Sequence, residues 1–369
     1  MECEFAVVGA GPAGLSGAIA AAKAGVREVV VIDENAKPGG QLFKQIHKFF
    51  GSKEHRAGVR GIDIASQLLE EASAARVDVQ LETVVWGIFE DNVLALANKG
   101  KVHKLKAKNI LLATGASENS IAFPGCTLPG VVGAGAAQTM INLHRVSIGK
   151  KALMVGSGNV GLIVSYQLMQ AGIEVVAVVE VLPKIGGYGV HASKITRLGI
   201  PILTSHTVRE VRGNEKVEVA TVVEVDSNYQ PILGTERDFN VDTVCIAVGL
   251  TPLVELAWMA GCEFMYIPEM GGWVPVSDEN METTVSGVYV AGDVAGIEEA
   301  STAMMNGAIA GLAVAKSLGH VNKEKYEELK EEKRRALEAF SQGRFEFRRI
   351  AREKLNRKGD EKVKLWLKD

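Results

Sequence analysis

Short apolar runs and helix-length amphipathic or small-residue segments alternate along this chain. Residues 5–8, 28–32, 110–113, 152–155, 174–179, 243–248 and 288–291 are almost continuously apolar, the pattern of strands buried on both faces of a parallel sheet. Residues 77–81, 83–89, 93–97 and 102–106 read as further short strands, and 62–74 has helical periodicity. Segments 15–25 and 162–172 are rich in small and aliphatic residues and end in glycine, and 300–318 is a small-residue helix. Strands followed by helices, over and over, predict an α/β fold. Pro124 and Pro129 mark where the chain crosses between domains, and the passage around Gly271, Gly272 and Trp273 reads as loop. Beyond His320 the character changes. Residues 323–340 and 344–358 are dense in Lys, Arg and Glu, with Tyr326, Leu329, Leu337 and Phe340 at helical spacing. Such a helix either packs on its own body or docks on another subunit.

Two of the strand–helix junctions carry the same glycine pattern. GAGPAG places Gly9, Gly11 and Gly14 after the first strand, and GSGNVG places Gly156, Gly158 and Gly161 after residues 152–155. In such a unit the first glycine permits the sharp turn, the second admits a pyrophosphate to the backbone, and the third lets helix and strand pack closely. The helix N-terminus offers unpaired N–H groups and partial positive charge to the diphosphate. Each unit continues into a second strand ending in an acid, Asp33 or Glu180, in both cases 24 residues after the first glycine. An acid there accepts hydrogen bonds from a ribose diol. The pair predicts a protein that holds two dinucleotides.

Composition narrows the class. At 369 residues the chain suggests two domains, and 47% hydrophobic with 23% charged residues is ordinary for a globular protein. A net charge of −3 supplies no basic field, so nucleic acid is not the expected partner. The uncharged stretch 5–22 is broken by glycine, proline and serine and has no basic leader, so no membrane span and no targeting segment is expected; a cytoplasmic location follows by default. Cys3, Cys126, Cys245 and Cys262 are far apart and form no CxxC, which leaves a redox dithiol, a zinc knuckle and an iron–sulfur set unsupported. His144, His191 and His206 have no metal-ligand spacing, and no metal site is expected. The loop 43–60 is unusual: His47, Lys48, Lys53, His55 and Arg56 are mixed with Phe43, Phe49 and Phe50. It either overlies a bound cofactor, with His47 or His55 handling protons, or forms surface salt bridges above tucked aromatics.

With GAGPAG, the ATG at 113–115, the VG-x-x-P at 248–252 and GVYVAGD at 287–293, the chain resembles the two-dinucleotide flavoprotein oxidoreductases, of which thioredoxin reductase is the compact example, over roughly residues 3–320. The resemblance implies two Rossmann-like dinucleotide-binding domains, the second inserted into the first. Residues 1–117 and 251–320 would bind FAD, 118–250 would bind NAD(H), and 321–369 would form a charged helical tail. It places the FAD site on Gly9, Gly11, Ala13 and Gly14, on Asp33 and Glu34, on Gly40 and Gln41, and on Val85, Thr114 and Gly115. Gly292, Asp293 and Ser301 would close it, the aspartate on the ribityl hydroxyl. The nicotinamide nucleotide would take Gly156, Gly158, Asn159, Gly161, Glu180 and Gly249; Glu180 suits a free 2′-hydroxyl and repels a 2′-phosphate.

Two departures matter. Met281 stands where the family has threonine, and the segment LPGVVGAGAAQTMINLHR lacks the redox dithiol, so a thioredoxin reductase activity is not expected. TGASENSIAFPGCTLPGVVGAGAAQ, PGGQ and GDVAGIEEASTAMMNG look more like the FAD/NAD component of heteromeric amino-acid and amine dehydrogenases: sarcosine oxidase α, dye-linked proline dehydrogenase α, opine oxidase A and hydrogen cyanide synthase B. That resemblance implies a second flavoprotein subunit that oxidises an amino acid or secondary amine. An iron–sulfur cluster, if present, belongs to a partner, because the tail has no cysteine. A stand-alone NADH:acceptor flavin oxidoreductase and a non-catalytic nucleotide-binding scaffold are the alternatives.

Overall fold

A computed structural model describes residues 1–340, 350, 351 and 355. The chain divides into two compact units, Met1–Ser117 with Thr251–Asp369, and Glu118–Leu250. In the first unit β1 (Glu2–Val8) runs into α1 (Pro12–Lys23) and then β2 (Val29–Ile32), with α2 (Gly61–Ala74) leading to β3 (Asp78–Gln80). Pro12 starts α1 because a first-turn residue needs no N–H partner and proline presets its φ. β4 (Val84–Phe89), β5 (Val93–Asn98) and β6 (Lys101–Leu112) complete the sheet in the order β3-β2-β1-β6-β5-β4, and a strand at Val288–Val290 pairs with β6.

The two strands expected at 102–106 and 110–113 are one strand, β6. Its first half alternates exposed Lys104, Lys106 and Lys108 with buried Leu105, Ala107 and Asn109. Its second half, Ile110–Leu112, is buried throughout because β1 and the Val288–Val290 strand both pair there in parallel. A change from one-sided to two-sided burial looks like a strand break in the sequence, but the backbone runs through it.

β1 shows how the layers form. Phe5 and Val7 face a core with α1, α2 and the helix Ala300–Ser317, while Ala6 and Val8 face a second core with Leu94, Leu96, Val254, Ala257 and Phe264. Each strand residue therefore has an apolar layer on its own side.

The second unit is a five-stranded parallel sheet in the order Ile202–Thr204, Glu174–Glu180, Lys151–Val155, Thr243–Ile246, Val131–Gly133. Its helices are α3 (Ala134–Thr139), α4 (Asn159–Gln170) and α5 (Gly189–Arg197). Three antiparallel strands, His206–Arg212, Val219–Glu224 and Arg237–Asn240, form a separate sheet in a stretch whose interspersed charges gave no element in the sequence pattern.

The chain returns to the first unit with α6 (Glu255–Met259), α7 (Ala300–Ser317) and α8 (Lys323–Phe340). α1 and α7 touch backbone to backbone. A Cβ on Gly307 would stand 2.0 Å from the Ala13 carbonyl oxygen, and one on Gly311 would stand 2.0 Å from that of Gly17. α8 packs on its own body: Tyr326 is buried in the core, Leu329 and Leu337 pack against it, and the Lys316 ammonium lies 4.4 Å from the Tyr326 ring centroid. The amphipathic segment expected at 344–358 lies largely outside the described residues. No helix among the described residues is long and apolar enough to cross a membrane.

Two outcomes follow from this packing. Gly307→Ala has no space for its methyl group and should lower unfolding stability by about 3 kcal/mol in a urea titration. Burial, helped by Lys194, pushes the His191 imidazole down to about 4 from 6.5. The unfolded chain then takes up this proton first, so stability falls as pH drops from 6.5 towards 4. His191→Gln should flatten the loss of Tm across that range.

Candidate functional site

At the end of β1 the chain turns out of the sheet through Gly9, at φ +106°, where a Cβ would stand 2.3 Å from the Ala113 carbonyl oxygen. Gly14 lets α1 approach, since its Cβ would fall 1.9 Å from the Gly9 oxygen. Gly11 is different. Its φ of −75° and ψ of −176° suit any residue, and a Cβ there would meet no atom of the described residues within 4 Å. Among the described residues, neither backbone conformation nor packing calls for glycine at Gly11. No side chain caps α1 and no acid lies in its first turn, which leaves its N-terminal N–H groups for an anion.

The acid beside this loop is tied to it. Asp33 is 7% exposed; one carboxylate oxygen accepts from the Ala10 N–H at 2.7 Å, and the other accepts from the Asn35 N–H and side-chain amide at 2.8 and 2.9 Å. The turn at Pro38–Gly40 folds back onto the loop: the Gly39 N–H donates to the Ala10 carbonyl at 2.7 Å, and a Cβ on Gly40 would lie 2.9 Å from the Gly11 Cα. Gln41 and Glu34 are exposed at its edges. The Thr83 N–H donates to the Asp33 carbonyl, which brings the start of β4, and with it Val85, beside the acid.

Two distant segments close the rim. Thr114 and Gly115 follow β6, the Thr114 hydroxyl donating to the Leu253 carbonyl at 2.7 Å. Gly292, at φ +78°, sits so close to α1 that its Cβ would be 2.8 Å from the Ala13 Cβ; Asp293 comes next and accepts from the Glu298 N–H at 3.3 Å. Ser301 lies in the first turn of α7, 3% exposed, and donates to the His55 carbonyl. The two candidate histidines are separated in role. The His47 ring stacks on Phe49 with centroids 5.6 Å apart, whereas His55 is buried and bonded through both ring nitrogens.

The second unit repeats the first. Gly156 is at φ +106° with its Cβ position 2.2 Å from the Ala247 oxygen, and that of Gly161 is 2.1 Å from the Gly156 oxygen. Gly158, at φ −63° and ψ 174°, again has nothing of the described residues within 4 Å of its Cβ position. Glu180, 7% exposed, accepts from the Ser157 N–H at 2.9 Å and hydroxyl at 2.6 Å, and from the Leu182 N–H at 3.0 Å. Gly249, at φ +116°, follows the returning strand as Gly115 does in the first unit.

The repeat extends to residues outside the two fingerprints. Gly186 and Gly187 stand six and seven residues after Glu180, the same spacing as Gly39 and Gly40 after Asp33. The Gly187 N–H donates to the Ser157 carbonyl at 2.8 Å, Gly186 to the Ser157 hydroxyl at 3.0 Å, and Tyr188 to the Asn159 side chain at 2.8 Å. A Cβ on Gly187 would lie 2.9 Å from the Asn159 nitrogen. The 147-residue offset that aligns the two fingerprints also aligns these two pairs of glycines, a signal the sequence pattern did contain.

The thiols take no part in either cradle. Burial pushes Cys3 up to about 11 and Cys245 up to about 12, and raises Cys262 as well; all four cysteines are free. No cluster of metal-binding side chains occurs among the described residues.

A mixed sheet and a parallel sheet that each carry a glycine cradle, a strand-end acid and a double-glycine turn make this an α/β protein of Rossmann-like units. The chain belongs to the pyridine nucleotide-disulphide oxidoreductase family, whose profile matches residues 4–307, and is an oxidoreductase of this FAD-binding class. It is 29% identical to the opine oxidase A protein of Agrobacterium tumefaciens over 85% of this chain and 66% of that protein. It is 26% identical to the alpha chain of sarcosine oxidase from a Corynebacterium species, over 86% of this chain and 33% of that one. The chain thus spans two-thirds or less of the length of these two relatives. Among solved structures it is similar to thioredoxin reductase of T. acidophilum, with a TM-score of 0.70 and 21% identity over 86% of this chain and 99% of that chain.

With three thiols buried and raised, iodoacetamide at about pH 8 should alkylate the partly exposed Cys126 alone in the native protein, and all four cysteines after unfolding. Peptide mass spectrometry reads the difference.

Proposed function

We propose that the N-terminal cradle binds FAD, that the second cradle binds NAD(H), and that the chain is the dinucleotide-binding subunit of a hetero-oligomeric amino-acid or amine dehydrogenase. The observation that carries the reading is the pair Gly11 and Gly158, glycines with ordinary dihedrals and open space where a Cβ would be. Both fit a backbone surface that a pyrophosphate approaches. In the first cradle, Gly11 and the α1 N-terminus take the pyrophosphate, Asp33 offers its remaining acceptor site to one ribose hydroxyl, and Asp293 faces the ribityl chain. Gln41, Thr114 and Ser301 line the rim. Bound FAD supplies hydride and electron chemistry; the chain positions it and excludes competing reactions. In the second cradle, Glu180 accepts from a ribose diol and its charge disfavours a 2′-phosphate, which selects NAD(H) over NADP(H). The chemistry needs no thiol of this chain, in keeping with the raised cysteines.

The subunit reading is supported by the two curated relatives, each of which is named as one component of a multi-chain oxidase. On this reading a partner flavoprotein oxidises the amino acid or secondary amine, and this chain exchanges the electrons with a nicotinamide or another acceptor.

Single-methyl variants test the cradles separately. Gly11→Ala should keep the fold and lose FAD affinity by about tenfold or more, while Gly158→Ala should keep FAD and lose anaerobic bleaching of the flavin by NADH. Stoichiometric FAD in Gly11→Ala, or undiminished bleaching in Gly158→Ala, would remove the corresponding assignment. Sarcosine- or proline-dependent dye reduction that appears only when a co-purifying flavoprotein is added back checks the subunit role.

A further inference from the structure

The loop between Gly51 and Gly58 is fastened at three points. Arg56 bonds to Glu71 and Gln67 of α2 at 2.7 and 2.6 Å. The His55 carbonyl accepts from the Ser301 hydroxyl in the first turn of α7 at 3.4 Å. The third point is the His55 ring, 2% exposed. Its Nδ1 accepts from the Ser52 N–H at 3.0 Å, which fixes the tautomer and leaves the proton on Nε2. Nε2 then donates to the Ala336 carbonyl of α8 at 2.9 Å, a contact across 281 residues. Gly51 closes the chain around the ring, since a Cβ there would fall 2.9 Å from the imidazole Nδ1.

α8 begins at Lys323, beyond the family match that ends at 307. It is seated on its own anchors: Tyr326 is in the core and donates to the Asn280 side chain at 2.5 Å, and buried Lys330 bonds to Asn280 and Glu279 at 2.6 and 2.9 Å. A buried imidazole that spends one nitrogen on its own loop and the other on a helix carbonyl is a connector between the two. The same residue's carbonyl meets the α7 turn that begins seven residues after Asp293.

We infer that His55 is a positioning residue through which α8 holds the 51–58 loop against the α7 N-terminal turn, so that the rim of the first cradle is pre-formed for FAD. This rests on the assignment of FAD to that cradle. Without the His55 ring the loop keeps its Arg56 and Ser301 contacts but loses its tie to α8, and the binding-competent arrangement becomes one of several. The apparent affinity for FAD falls by the fraction of molecules that keep it.

Full-length wild type, His55→Ala, His55→Gln and Leu329→Glu test the idea. FAD affinity is read by flavin fluorescence quenching, the ring environment by visible circular dichroism, and the loop by hydrogen exchange of residues 49–58. If the competent fraction drops to a tenth, His55→Ala binds FAD about tenfold more weakly, with faster loop exchange and altered flavin dichroism. His55→Gln retains a side-chain donor for the Ala336 carbonyl and should recover most of the affinity. Leu329→Glu unseats α8 while leaving the His55 ring and the glycine loop unmutated, and should mimic His55→Ala. Unchanged loop exchange in His55→Ala, measured without FAD, overturns the brace and leaves the cradle assignment standing. Faster exchange with wild-type FAD affinity and dichroism shows a loop with no bearing on the cofactor, and also overturns it. A wild-type chain that takes up no FAD overturns the cradle assignment and this inference together, whatever the exchange shows.

Discussion

The first cradle depends on how closely α1 approaches α7. Gly17, Gly307 and Gly311 clear side chains from the seam, and carbonyl oxygens of one helix stand where Cβ atoms of the other would be. Two helices separated by ordinary side chains lie about 8–10 Å apart; here backbone meets backbone. This contact carries Gly292 against Ala13 and so delivers Asp293 to the start of α1, although nearly 280 residues separate them in the chain. Widening the seam would draw Gly292 and Asp293 away from the start of α1.

Within each cradle the strand-end acid holds the glycine loop itself. Asp33 accepts from the residue after Gly9, and Glu180 accepts from the residue after Gly156, so each carboxylate holds its glycine loop in shape before any ligand arrives. A carboxylate has about four acceptor sites; three are taken in each acid, which leaves about one for a further donor. The double-glycine turns add a second constraint from the other side, pinned to Ala10 in one unit and Ser157 in the other. Both cradles are therefore rigid for the same reason, and the duplication extends to the hydrogen bonds that enforce it.

Much of this was legible in the residues. The fingerprints, the acids and the apolar strands appear as patterns because each is local: a turn, a strand end or a helix start fixes a residue type at a short spacing. The second double-glycine turn is equally local, yet Gly186 and Gly187 resemble ordinary loop until the 147-residue offset is applied. β6 was less legible. Its burial changes from one face to two halfway along, and only the arrangement of its neighbours explains why the strand does not stop. The basic aromatic loop 43–60 announced itself by composition, but composition could not show that its His55 ring is buried and bonded to the Ala336 carbonyl.

Sequence alone determined the α/β class, the two glycine-rich strand–helix turns, the strand-end acids beside them and the wide spacing of the cysteines, because these follow from residue types at fixed short distances. Tertiary structure decided which distant segments complete a cradle. It set Gly292 on Ala13, joined the start of β4 to Asp33, and placed the buried His55 ring between its own loop and the Ala336 carbonyl of α8. Those outcomes depend on backbone approach and burial across hundreds of residues, and no local pattern encodes them.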